Sequence, residues 1–135
     1  MNPTEEFYLD ATDRGFLSTA DGSGRPTVVP VCFVYMNGRI YIPIDDKPKT
    51  TRTLARGKNI ASNPRVAFIV DNYSQNWKKL SYLLVHGKAR VVGDQKEAET
   101  AKGLLVEKYP QYRRLKLKEA VIAISIERTK LWEFE

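Results

Sequence analysis

The chain has 135 residues, of which 42% are hydrophobic and 28% are charged, as expected for one folded domain spanning residues 1–135. No apolar run reaches the roughly 20 residues that cross a bilayer, and the N-terminus lacks the pattern of a signal peptide, so we expect a cytoplasmic protein without a membrane partner. The net charge of +6 favours an anionic partner, which could be a phosphorylated cofactor, an acidic metabolite or nucleic acid.

Apolar segments of strand type recur along the chain. They are GFLSTA, PTVVPVCFVY, RIYIPI, RVAFIVDNY, SYLLVHGKARVV and AVIAISIERTKLWEF, the last of which fits one or two strands. Asn37 and Gly38 predict a type I′ hairpin, because both residues tolerate a positive φ. Pro30 and Pro43 cannot donate a ladder hydrogen bond, which predicts an edge, a bulge or a strand end at each.

Three helices are predicted between these strands. They cover residues 3–12, residues 50–62, and a segment from Asp94 to Pro110, where Asp94 and Glu97 have capping-box spacing. The order of elements predicts a mainly β protein, a small closed or nearly closed β-barrel with flanking helices and no second domain.

The single cysteine and the single histidine limit the chemistry of the chain. Cys32 lies in the apolar run TVVPVCFVY, which favours a small buried side chain over a nucleophile. His86 is the only histidine, so a multi-histidine metal site has no ligands and we expect no metal. The sequence assigns no catalytic residue.

The segment DDKPKTTRTLARGKNI, residues 45–60, concentrates positive charge at a predicted helix start. On a helix, Lys49, Arg52 and Arg56 share one stripe. Thr50 and Thr51 are good cap residues, and the first amides of a helix are unpaired. Hydroxyls, free amides and converging cations make a phosphate site. The alternative is a solvated basic helix face.

The order of these motifs resembles the flavin-binding split-barrel family related to pyridoxamine 5′-phosphate oxidase, over residues 14–134. The segments DDKPKTTRTL, NIASNPRVAFIVDNYSQNW and HGKARVV are most similar to its branch of coenzyme F420-dependent enzymes. The resemblance implies a six-stranded split barrel of the FMN-binding type. It also implies a homodimer with FMN or coenzyme F420 bound between the subunits.

The resemblance implies three groups of cofactor-binding residues. Phosphate contacts fall on Lys47, Lys49, Thr50 and Thr51, with Arg56 or Lys58 as alternatives because this segment is longer than in many members. The ring is lined by the backbone of the second predicted strand, at Val28, Val29, Pro30 and Val31. Two tryptophans complete the site, Trp132 approaching from the partner subunit and Trp77 covering the pocket, although barrel packing is the alternative for both.

We therefore expect an oxidoreductase that transfers hydride between a flavin or deazaflavin and an unknown small molecule. The basic segment favours F420, whose tail carries more negative charge. Oxidation of pyridoxamine 5′-phosphate itself is not expected, because TKLWEFE after Arg128 contains no histidine. A non-catalytic flavin carrier or sensor is the alternative function. A nucleic-acid-binding barrel is less favoured, because the aromatic residues are mostly not interleaved with cations.

Overall fold

The computed structural model describes residues 1–44, 58–115 and 120–134. Seven strands are described. They are β1 (Gly15–Ala20), β2 (Pro26–Val31), β3 (Val34–Met36), β4 (Arg39–Pro43), β5 (Arg65–Asn72), β6 (Ser81–Val91) and β7 (Val121–Glu133). The helices are α1 (Pro3–Ala11), α2 (Gln95–Lys108) and α3 (Tyr112–Leu115). Residues 58–62 are also helical, and a 3₁₀ turn covers Trp77–Lys79.

The strands form one sheet in the order β2-β1-β5-β6-β7-β4-β3, and all neighbours are antiparallel. Its two edge strands, β2 and β3, are joined by only Cys32 and Phe33. A link this short spans about 10 Å, so the sheet must curl until its edges approach each other. The prediction of a mainly β split barrel with flanking helices is therefore confirmed.

The structure has seven strands where six were expected, because the predicted strand over residues 26–35 is interrupted. At the interruption, the Phe33 N–H donates to the Tyr109 hydroxyl (3.1 Å), which also lies 3.2 Å from the Phe33 carbonyl oxygen. The backbone of Phe33 is thus bonded to a side chain instead of a strand ladder. Cys32 lies at this bend and is half-buried, which is less burial than the sequence predicted.

Local signals in the first half of the chain are confirmed. Asn37 and Gly38 have φ values of 49° and 78°, as a type I′ turn requires. Pro30 lies on edge strand β2 and Pro43 is the last residue of β4. Neither proline therefore lies in the middle of a strand that is hydrogen-bonded on both sides.

Two apolar clusters lie on opposite sides of the sheet. The barrel interior is filled by side chains from most strands together with Leu9 of α1 and Ile60. The second cluster lies under α2, where Ala101 and Leu105 pack against β3, β4 and β7. The first residues of β7 contribute side chains to both clusters. From Ser125 onward, the side chains of β7 that point away from the barrel interior belong to neither cluster.

The start of α2 confirms one half of the predicted capping box. The Asp94 side chain accepts from the Glu97 N–H (3.1 Å). The predicted reciprocal bond is wrong, because the Glu97 carboxylate binds Arg90 and Tyr41 instead. A complete capping box occurs at α1, between Asn2 and Glu5. No helix in the part of the chain that the structure describes is long and apolar enough to cross a membrane.

Candidate functional site

The outer face of β1, β5, β6 and the second half of β7 carries a continuous apolar row. Pro30, Phe16, Ile69, Leu84 and Lys130 follow one another in register across five strands, and directly opposite residues share a face. The three central side chains are half-buried and belong to neither core cluster. We call this surface the outer face.

A second row of the outer face is made of small and basic residues. Val28, Ser18, Ala67, His86 and Arg128 follow one another in register. The β6–β7 pairing shifts directly after His86, at Gly87. A Cβ at that glycine would lie 2.3 Å from the Ser125 carbonyl oxygen. The bulge therefore needs a glycine, and it sets the register that follows.

Aromatic side chains close one end of the outer face. The rings of Tyr82 and Trp132 are stacked with centroids 5.5 Å apart and planes at 15°, and the Phe134 ring meets Trp132 edge-on at 6.5 Å. The Phe134 N–H donates to the Leu80 carbonyl (3.0 Å). This bond ties the aromatic end to the connection that contains Trp77.

The charges on the outer face are mainly positive, with one carboxylate, Asp71, opposite Tyr82 at the aromatic end. Its basic side chains are Arg65, Lys88, Arg128 and Lys130. Of these, only Lys88 has a carboxylate partner among the described residues, with its Nζ 4.0 Å from Glu127. The guanidinium of Arg14 lies 5.2 Å from the Phe16 ring centroid. An apolar strip bordered by unneutralised cations can hold a planar group that carries a negative tail.

The predicted ring-lining residues divide between the two sides of β2. Val28 is 64% exposed and, like Pro30, points to the outer face. Val31 is part of the barrel core and Val29 packs against that core. Backbone contacts to a cofactor ring do not depend on the face to which each side chain points, because strand amides and carbonyls lie between the two faces of the sheet.

Of the residues predicted to bind the cofactor phosphate, only Lys58 is among the described residues. Lys58 is exposed and belongs to the helical residues 58–62. The others lie outside the described residues, as does most of the helix predicted over residues 50–62; they are Lys47, Lys49, Thr50, Thr51, Arg52 and Arg56.

The two tryptophans lie at the same end of the sheet and in neither core cluster, so the alternative of barrel packing does not describe them. Trp77 is 61% exposed and Trp132 is 37% exposed. Within one chain, Trp132 is separated from β2 by β1, β5 and β6, about 19 Å along the sheet at the usual spacing of strands. One chain therefore does not bring Trp132 to Val28 and Pro30.

Sequence reasoning missed Phe16, Ile69, Tyr82 and Leu84, although a signal for most of them was present. VAFIV in β5 and YLLV in β6 are apolar at both odd and even positions, and a strand with one solvated face would alternate instead. Continuous apolar runs in two adjacent strands indicate that both faces of the sheet are to be covered.

Comparison with known proteins gives the fold and the family of the chain. Several solved structures have a similar fold, among them the following three. They are a conserved hypothetical protein from Mycobacterium tuberculosis (TM-score 0.78, 20% identity, covering 98% of this chain and 85% of that one), an FAD-binding protein from Mesorhizobium loti (0.73, 19%, 100% and 96%) and a heme storage protein from Vibrio cholerae (0.74, 17%, 98% and 93%).

At these identities the likeness shows the fold alone. None of the curated proteins matches the chain. The family model described as pyridoxamine 5′-phosphate oxidase matches residues 3–133, and so the chain belongs to the pyridoxamine 5′-phosphate oxidase family.

Proposed function

We propose that this protein is a homodimeric oxidoreductase that binds FMN or coenzyme F420 between its subunits and passes hydride to or from a small molecule. The observation that carries the proposal is the outer face, an apolar row that ends at Lys130 beside the Tyr82–Trp132 stack. A flavin or deazaflavin has a planar ring that suits this apolar and aromatic surface, and the cations that border it favour an anionic ligand.

Membership of the family supports a flavin-type cofactor, and one protein of similar fold is named as FAD-binding. When bound, such a cofactor supplies the hydride-transfer chemistry itself. The chain would then have to bind, orient and shield it. We assign ring contacts to the backbone of Val28–Val31 and to the two tryptophans.

The phosphate of the cofactor is assigned to the basic segment. Lys47, Lys49, Thr50 and Thr51 are the proposed contacts, with Arg56 or Lys58 as alternatives. The number of cations in this segment favours F420 over FMN, because the F420 tail carries more negative charge.

The separation of the assigned site residues supports a dimer. Val28 and Trp132 of one chain lie at opposite ends of the outer face, so a second copy is the simplest source of an aromatic ring beside β2. Apposing two outer faces would also cover Phe16, Ile69 and Leu84, which the described part of one chain leaves half-buried.

Cofactor titration of the purified chain tests the proposal. Apo-protein is titrated with FMN and with F420, binding is followed by quenching of cofactor fluorescence, and sedimentation velocity gives the oligomeric state. Saturable binding of either cofactor to a dimer supports the proposal. Binding of neither cofactor, together with salt-sensitive binding of oligonucleotides, would overturn it in favour of a nucleic-acid-binding barrel.

Two variants test the assignment of the site. Trp132→Ala and the double substitution Lys49→Ala with Thr51→Ala should each weaken cofactor binding at least about tenfold. Phe7→Ala is the matched control, because Phe7 is 68% exposed on α1 and outside the proposed site. Unchanged affinity in both test variants would contradict the assignment.

A carrier or sensor that binds the cofactor without turnover is the second candidate. It is favoured by the fold likeness to a heme storage protein and by the lack of an assigned acid-base residue. Multiple turnover separates the two functions: with a catalytic amount of protein, excess reduced cofactor and a panel of small-molecule acceptors, only an oxidoreductase returns many equivalents of cofactor to the oxidised form faster than the protein-free control. Oxidation of pyridoxamine 5′-phosphate is not part of the proposal, since the only histidine, His86, lies on β6 instead of near the C-terminus.

A further inference from the structure

Three cations and the only histidine of the chain lie together on the outer face. Arg65 of β5 is directly opposite Lys88 of β6, and His86 of β6 is directly opposite Arg128 of β7. His86 and Lys88 are two positions apart on one strand, so the four side chains point to the same side of the sheet. We call these four residues the basic cluster. It lies away from the aromatic end, with Lys88 about 20 Å from Tyr82 along β6.

Repulsion within the basic cluster destabilises the sheet. Like charges that face each other on neighbouring strands repel, and Arg65 and Lys88 are such a pair. Both strands are interior to the sheet, so protection of a sheet edge by charged residues does not explain the pair. Among the described residues the cluster has one ion pair, between exposed Lys88 and Glu127 at 4.0 Å, and its two guanidiniums have none. A bound anion would remove the repulsion.

A β-bulge supplies one member of the basic cluster. Gly87 pairs with Ile126, and a continuous register would place the Glu127 carboxylate opposite His86. The register shift places Arg128 opposite His86 instead. Bulges are over-represented next to functional sites, where they redirect a side chain. Here the bulge puts a guanidinium where regular pairing would put a carboxylate, which favours recognition of an anion.

Small side chains leave space for an anion beside the basic cluster. Ala67 is opposite His86 and Ser18 is opposite Ala67, while Ser125 is opposite Lys88. The two serine side chains are half-buried and have no hydrogen-bond partner within the described ranges of the chain. Hydroxyls and guanidiniums donate the hydrogen bonds that phosphate and carboxylate oxygens accept.

We propose that the basic cluster binds a polyvalent anion, a ligand that carries two or more phosphate or carboxylate groups. Arg65 and Arg128 each present a planar fork of donors that matches such groups. They lie on β5 and β7, about 10 Å apart across the sheet, so a ligand with separated negative charges contacts both better than a single small anion does. The cluster shares no residue with the proposed cofactor contacts, and the inference therefore goes beyond the proposed function.

Titration calorimetry of the apo-protein with inorganic pyrophosphate, at constant ionic strength, tests the site. Wild-type protein should bind pyrophosphate saturably, and the double substitution Arg65→Gln with Arg128→Gln should weaken binding at least about tenfold. Lys78→Gln with Lys79→Gln is the matched control, because it removes the same charge from exposed residues outside the cluster. No binding to the wild type, or equal affinity in the cluster variant and the wild type, would overturn the proposal.

The basic segment is a competing explanation for pyrophosphate binding, and a further variant separates the two. Lys49→Ala with Thr51→Ala should retain pyrophosphate binding, although it is expected to weaken cofactor binding. Loss of pyrophosphate binding in this variant, together with full binding in the cluster variant, would overturn the proposal. A cluster variant that loses pyrophosphate but keeps the cofactor supports this inference and leaves the proposed function unaffected.

Titration in the presence of cofactor identifies the source of the anion. Unchanged pyrophosphate affinity in cofactor-saturated protein assigns the cluster to a separate anionic ligand. Competition by F420, but not by the deazaflavin without its tail, assigns the cluster to the cofactor tail. Both results support an anion site at the cluster.

The stability of the apo-protein gives an independent measurement. Arg65→Gln should raise the urea midpoint at low ionic strength, because it removes one of two opposed charges, whereas Lys78→Gln should not raise it. Saturating pyrophosphate should raise the midpoint of the wild type more than that of Arg65→Gln. A lower midpoint for Arg65→Gln than for the wild type without pyrophosphate would overturn the repulsion on which the proposal rests.

Discussion

Tyr109 joins three separate parts of the chain through one hydroxyl group. The hydroxyl accepts from the Phe33 N–H (3.1 Å) and donates to the Asp13 carbonyl (2.8 Å). Burial raises the pKa of Tyr109 to about 12, so the proton that it donates is retained at neutral pH. This residue fixes the bend between β2 and β3, and with it the edge strand that we assign to the cofactor ring.

Tyr109→Phe should lower the free energy of unfolding by about 1–3 kcal/mol, because it leaves the Phe33 N–H without its partner. Urea unfolding followed by circular dichroism measures the change. Tyr73→Phe is the matched control, since Tyr73 is 70% exposed and makes no hydrogen bond to the described residues. Equal stability of the two variants would contradict the role of the Tyr109 hydroxyl.

The side of α2 on which Tyr109 lies could be predicted, but its bonding could not. Ala98, Ala101, Leu105 and Tyr109 are three or four positions apart, a spacing that predicts one helix face, and all four pack in the cluster under α2. The hydrogen-bond partners of Tyr109 are 76 and 96 positions away in the chain. No local sequence pattern predicts a contact between residues that are so far apart in the chain.

At the scale of elements, Glu97 attaches α2 to the sheet. Its carboxylate accepts from Arg90 at 2.8 Å and 3.1 Å, from Tyr41 at 2.7 Å and from Arg39 at 3.4 Å. The hydrogen bonds of Arg90 are the main reason why the pKa of Glu97 is below its ordinary value of 4.5. The capping pattern could not reveal this, because the competing partners come from β4 and β6.

Glu97→Gln should lower the free energy of unfolding at neutral pH by about 1 kcal/mol, because it removes a charge-assisted network. The folded-state pKa is the lower one, so the stabilisation by Glu97 is present above pH 4.5 and is lost as the pH falls through the folded-state value. Urea midpoints of the wild-type and variant proteins should therefore converge in acid. Glu99→Gln, on the exposed side of α2, should show no such convergence. A constant difference across the pH range would contradict this account.

At the scale of the whole molecule, the sequence predicted the barrel but not the apolar row on its outer face. The strands, the Asn37–Gly38 hairpin and helices α1 and α2 lie close to their predicted positions. Each of them depends on residues that are neighbours in the sequence. The outer face depends on which strands become neighbours. Phe16 of β1 and Leu84 of β6 share one row only because β5 lies between them.

Leu84→Glu should weaken the proposed dimer at least about tenfold, because an unpaired charge would be buried between two apolar faces. Sedimentation velocity over a range of concentrations measures the dissociation constant. Phe7→Glu is the matched control, as it places the same charge on exposed α1. A monomeric wild-type protein, or equal dissociation constants for the two variants, would contradict dimerisation through the outer face.

β7 lies between β6 and β4 in the sheet, so it alone joins the partial sheet β2-β1-β5-β6 to the hairpin β3-β4. All six of those strands precede β7 in the chain and are translated before it. Until Val121–Glu133 has been synthesised, the nascent chain holds two partial sheets without the strand that lies between them, so part of their apolar surface stays uncovered. We expect closure of the barrel to be a late event in synthesis, and the ribosome-bound chain to need chaperone protection until that strand emerges.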